Sequence, residues 1–237
     1  ALDYMLLAPG FAADTQDIIG IFWDRSANEI SRKLYDDSAD SWAETSIATS
    51  MTSHVATTDA PYMAIAADLS NTRILLVAWS NRDTLNADLR MFLVSEAAIT
   101  EAATNVVLNS VDDQGMCAVA LETDTGKVYV FYVGASDGSE TLNSAVRVYY
   151  KVSTDTGATW GSETLLSTHG VDRIIHLSCS HRFTAAIGAH VLWLRGNESA
   201  DIGLPVVSVN GVAVNESNVI PALQVTQIIV DPDWMAR

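Results

Sequence analysis

The sequence predicts an all-β protein built from repeated four-stranded antiparallel units, and three observations carry that expectation. An apolar run that ends in an aromatic and breaks into a polar turn recurs four times. Segments that alternate in hydrophobicity follow each copy. Helical periodicity is nearly absent along the 237 residues. Repetition on this scale is the mark of an array architecture, and alternation with period two is the mark of strands.

The four runs are "IIGIFWDRS" around Trp23, "ILLVAWSNR" around Trp79, "VYVFYVGAS" around Tyr132 and "HVLWLRGNE" around Trp193. Their aromatics are spaced 56, 53 and 61 residues apart. Upstream, "DYMLLAP" at Tyr4–Met5 matches "PYMAIAA" at Tyr62–Met63, with "GMCAVALETDTGK" and "HLSCSHRFTAAIG" in the same place before the third and fourth runs. Downstream come "EISRKLYDD", "ADLRMFLVS", "AVRVYYKVS" and, more weakly, "GLPVVSVN". After the first three, "AETSIATS", "NVVLNS" and "SETLLST" read as a fourth strand. "SEAAITEAATNVV" has some helical character but occupies the connection from third to fourth strand.

The second strand of each unit is nearly continuous in hydrophobics, as expected where both faces are covered by neighbouring sheets. The third alternates, with Val146, Val148 and Tyr150 opposed to Arg147, Tyr149 and Lys151. Four-stranded units at this period predict a β-propeller with at least four blades, at roughly 1–57, 58–110, 111–168 and 169–215. Residues 216–237 supply a closing strand or the start of a further blade. A pair of β-sandwiches explains the alternation but not the matched aromatics.

Composition narrows the function classes. About half of the residues are hydrophobic (49 %), so the chain can bury a substantial core. Acidic groups outnumber basic ones 29 to 13, a formal charge of −16, which disfavours nucleic acid and anionic membranes as partners. No apolar run approaches the ~20 residues that cross a bilayer. The start at Ala1 without a basic leader reads as a piece of a longer polypeptide. Cys117 and Cys179 lie in separate strand-like runs and read as buried free thiols rather than a disulfide framework.

The most specific local pattern is "STDTGATW" at Ser153–Trp160. It resembles the Asp-box, or bacterial neuraminidase repeat, of sialidase-like propellers, with Ser153, Asp155, Gly157, Thr159 and Trp160 at its defined positions. A degenerate copy, "YDDSADSWAE", places Asp37 and Trp42 where Asp155 and Trp160 stand, 118 residues earlier. The resemblance implies a hairpin device on the rim away from any active site. Chemistry agrees: Ser153 and Asp155 can bond their own turn, Gly157 can adopt positive φ, and Trp160 can bury a large ring.

Sialidases bind a carboxylate with three arginines and use a tyrosine nucleophile paired with glutamate. The family's early Arg-Ile-Pro segment is absent here, "YMLLAPG" standing in its place. Arg25, Arg82 and Arg195 recur after the second strands, with Asp24 and Asp83 beside two of them. These five are weak candidates for contacting sugar hydroxyls on one face of the ring, or form solvated ion pairs. In "HLSCSH", His176 points away from Cys179 and His181 on a strand, so no metal is assigned, and nothing calls for a cofactor. Asn197–Glu198–Ser199 and Asn215–Glu216–Ser217 fit the glycosylation pattern.

The expectation is a non-enzymatic propeller: an interaction or structural module, glycan-binding, in a virion (phage tail or fibre-type) or secreted assembly, whose other proteins or further copies are its partners. A sialidase-like glycoside hydrolase and a scaffold that binds only proteins are the rival readings.

Overall fold

In the computed structural model, residues 2–11, 17–24, 27–49, 51, 62–80, 87–110, 116–134, 147–166, 173–196, 203–209 and 212–213 are described. They form four sheets, and the pairing is antiparallel throughout except at one short edge. The first sheet runs in the order β1 (Leu2–Pro9), β2 (Ile18–Asp24), β3 (Glu29–Asp36) and β4 (Ser41–Thr49). The second holds β5 (Met63–Asp68), β6 (Arg73–Ser80), β7 (Ala87–Val94) and β8 (Ile99–Glu101), and β9 (Val107–Ser110) pairs with β7 beyond β8. Where the sequence suggested helical character, at 95–107, the chain instead forms β8 and a loop, and both β8 and β9 pair with β7.

The third sheet comprises β10 (Cys117–Glu122), β11 (Val128–Val133), β12 (Val148–Ser153) and β13 (Thr164–Leu165). The fourth contains β14 (Arg173–Cys179), β16 (His190–Gly196), β17 (Gly203–Val209) and β18 (Val212–Ala213). Between β14 and β16, β15 (Arg182–Phe183) leaves its own sheet and pairs in parallel with β10. Leu121 N–H donates to the His181 carbonyl at 2.9 Å and Thr123 N–H to that of Phe183 at 2.8 Å, covering part of an otherwise open strand edge.

Three apolar clusters join the sheets face to face in sequence order. Ile19, Ile21, Trp23 and Ile30 of the first sheet meet Ile74, Leu76, Ala78 and Phe92 of the second. The opposite face of the second, with Leu75, Val77, Trp79 and Met91, meets Val119, Val130 and Tyr132 of the third. Phe131, Val133 and Val148 then meet Leu177, Val191 and Trp193 of the fourth. Strands β6 and β11 are therefore covered on both faces, which is why their sequences lack polar alternation.

Cations tie the packing together. Arg32 on β3, only 7 % exposed, donates to the backbone carbonyls of Ser95 and Glu96 at the β7–β8 turn. Lys151 on β12 donates to the Val106 carbonyl at 2.8 Å. Each bond gives a desolvated cation a backbone acceptor in the neighbouring sheet.

Candidate functional site

The first strand of every sheet converges on one cavity of about 580 Å³. Leu6 and Leu7 of β1, Met63 and Ile65 of β5, Cys117 of β10, and Leu177 and Cys179 of β14 are among the residues that line it. Tyr62, Ser178 and His181 supply its polar groups, and among the described residues that line it there is no arginine, aspartate or glutamate. Both thiols are free and buried. Desolvation pushes Cys117 up, and Cys179 up to about 12. The Cys179 Sγ–H points at the Val119 carbonyl, 3.3 Å away, and neither thiol is poised as a nucleophile.

The Ser153–Trp160 turn lies away from this cavity. Its Asp155 carboxylate accepts from Thr159 N–H at 2.8 Å, Thr159 Oγ1–H at 2.6 Å and Ser153 Oγ–H at 2.8 Å. These bonds hold the exposed carboxylate below its ordinary range, the Thr159 hydroxyl being the largest cause. Gly157 sits at φ +89, its N–H donating to Ser153 Oγ at 2.7 Å. The Trp160 indole N–H reaches across to the Thr104 carbonyl of the second sheet at 3.2 Å, and Thr104 Oγ1–H donates back to the Ala158 carbonyl at 2.9 Å. The octapeptide is thus both a turn and a clasp between sheets.

The earlier copy is built differently. Asp36, rather than Asp37, accepts from Ser38 Oγ–H at 2.7 Å and Ala39 N–H at 3.0 Å, and is held below its ordinary range chiefly by the Ser38 bond. Asp37 instead donates its backbone N–H to Asp17 Oδ1 at 2.9 Å. Trp42 remains 56 % exposed and tilts over Tyr35 with ring centroids 5.0 Å apart.

Of the arginine–aspartate candidates, Arg25, Arg82 and Asp83 lie outside the described residues, as do both glycosylation patterns and residues 216–237. Asp24 accepts from Ala27 N–H at 3.4 Å in the β2–β3 turn. The backbone of Arg195 lies on β16, paired with Ile174 and Leu204.

Two tyrosine–glutamate pairs among the described residues were not visible in the sequence: Tyr129 donates to Glu122 at 3.1 Å, and Tyr132 to Glu163. Tyr132 on β11 donates its hydroxyl to Glu163 just before β13. The two are 31 positions apart, and only the β11–β12–β13 pairing brings them together. Tyr132 is wholly buried between the second and third sheets. Burial, then the Glu163 carboxylate, raises the phenol well above its usual range, the opposite of what an attacking phenolate needs.

A second cleft, of about 200 Å³, opens between the third and fourth sheets and shares no lining residue with the first. Glu122, Tyr129, Phe131, Tyr150 and Phe183 form most of it.

No family model matches the sequence, and no curated protein matches it. Solved structures show similarity to it. A protein of unknown function from Dyadobacter fermentans is 11 % identical, with a TM-score of 0.50 over 90 % of this chain and 60 % of its own. An exo-beta-1,3-galactanase from Bifidobacterium bifidum is 13 % identical, with a TM-score of 0.46 over 88 % and 68 %. The Bombyx mori GH32 beta-fructofuranosidase is 12 % identical, with a TM-score of 0.45 over 90 % and 48 %. At 11 % identity the likeness to the first of these is one of fold alone. The chain spans about 60 % of the length of the first of these structures.

Proposed function

We propose that the chain is a β-propeller module that binds glycans without cleaving them, displayed in a virion or secreted assembly beside other proteins of that assembly. The observation that carries the non-catalytic reading is the convergence of four first strands on a cavity whose described lining holds no arginine or carboxylate. Carboxylate capture needs guanidinium forks, and glycoside cleavage needs an acid within reach of the scissile oxygen. The Tyr132–Glu163 pair offers neither, being packed inside a sheet interface.

The propeller reading is supported by four sheets of four or five strands stacked in chain order with their first strands at one cavity. Glycan binding follows from the Asp-box resemblance of Ser153–Trp160. The acidic charge of −16 suits a solvated assembly surface and opposes polyanionic partners. Incubation of the purified chain with fluorogenic sialosides and galactosides, alongside a glycan array, tests the reading. Array binding with no released fluorophore is expected. Turnover, or no binding to any glycan, overturns it.

A further inference from the structure

We infer that the cleft between the third and fourth sheets is a binding site for a single neutral pyranose ring; this rests on the glycan-binding reading and gives it a location. The floor of the cleft is aromatic. Tyr129 and Phe131 alternate on β11, so both point toward the fourth sheet, with ring planes 18° apart and centroids 6.4 Å apart. Tyr150, across on β12, continues this floor at 5.9 Å from Phe131 and 37° to it. Phe183 stands against Tyr129 as a wall, 5.2 Å away and at 68°. Tyr129 and Tyr150 are half-buried, so the floor is reachable from solvent at the cleft.

The closed end is polar. Glu122 is only 3 % exposed. Its Oε2 accepts from the Tyr129 hydroxyl at 3.1 Å. Its Oε1 accepts from the Thr125 hydroxyl and lies 3.3 Å from Lys127 Nζ. Burial, followed by the Glu122 charge, pushes the Tyr129 phenol up to about 12, so it stays a protonated donor. Both the carboxylate and the phenol oxygen keep lone pairs that can accept hydroxyl protons.

Charge and size select the ligand class. Lys127 already matches the Glu122 charge, so a cation gains little there. An anion meets both the carboxylate and the acidic surface. A purely apolar group would leave the Glu122 end unsatisfied. A ring with C–H groups on one face and hydroxyls on its edge satisfies both floor and end. The volume of about 200 Å³ is below the roughly 300–1,000 Å³ of sites that enclose drug-sized ligands, and so takes one ring rather than an oligosaccharide.

Two variants test the site. Tyr150→Ala removes part of the floor, and Ala185→Trp fills the cleft from its rim while replacing an exposed residue rather than a buried one. The glycans retained by the wild-type chain on an array are measured again by calorimetry, with thermal melting as the control for folding. A loss of affinity of roughly tenfold or more in each folded variant is expected; if Tyr150→Ala fails to fold, Ala185→Trp decides. Unchanged affinity in a folded variant overturns this location while leaving the glycan-binding reading intact. Retention of no glycan by the wild type overturns both, and binding of tetramethylammonium in place of sugars overturns the ligand class.

Discussion

Trp79 and Tyr132 meet edge to face between the second and third sheets, with ring centroids 6.3 Å apart and planes at 80°. Both are wholly buried. Edge-to-face geometry sets the positive ring edge against a negative face, which adds to simple area burial. A double-mutant cycle with Trp79→Leu and Tyr132→Leu should give a coupling of about 0.5–1.5 kcal/mol in urea unfolding. Strict additivity would show that the two rings are merely neighbours.

The glycine of the Ser153–Trp160 turn is conformationally committed. At φ +89, a Cβ on Gly157 would stand 3.0 Å from the Ala102 Cβ and 3.2 Å from Met91 Sδ, in the second sheet. Strain and crowding add, so Gly157→Ala is expected to destabilise by about 1–3 kcal/mol. Stability equal to wild type would refute the clasp.

Asp155 makes the same turn sensitive to acid. Its folded pKa is depressed below the unfolded value by the Thr159 and Ser153 bonds. Its contribution is therefore present above the unfolded pKa of about 4 and is lost as pH falls through the folded value. Asp155→Asn should flatten the stability–pH curve below about pH 4 relative to wild type. An unchanged slope would contradict the assignment.

Arg32 bridges the first two sheets by donating to the Ser95 and Glu96 carbonyl oxygens. Arg32→Met keeps much of the buried stem but strands the two acceptors. A loss of about 1.5–3 kcal/mol is expected in urea unfolding; stability equal to wild type would contradict the bridging role.

Strand content was legible because four apolar runs break at aromatics, and the turn at Ser153–Trp160 was legible because glycine and short polar side chains announce it. What the repeat did not reveal is direction. Trp23 and Trp79 face the following sheet, whereas Tyr132 and Trp193 face the preceding one. A sequence period counts residues through loops of unequal length, while the face a residue occupies depends on strand register, and a one-residue slip reverses it. The β15 segment was hidden for a related reason. Two residues that pair in parallel with another sheet carry no periodicity of their own. Glu122 was equally unreadable, since an acid at a strand end looks solvated until Tyr129, Thr125 and Lys127 are seen around it. In the degenerate box, alignment on Trp42 selected Asp37, but the hydrogen bonds belong to Asp36.

The most direct test of the central claim is to recover the glycans captured by the wild-type chain and weigh them by mass spectrometry after prolonged incubation. Glycans retained and recovered with their masses unchanged are expected. Masses shifted by loss of a terminal sugar would contradict the claim, as would the absence of any captured glycan.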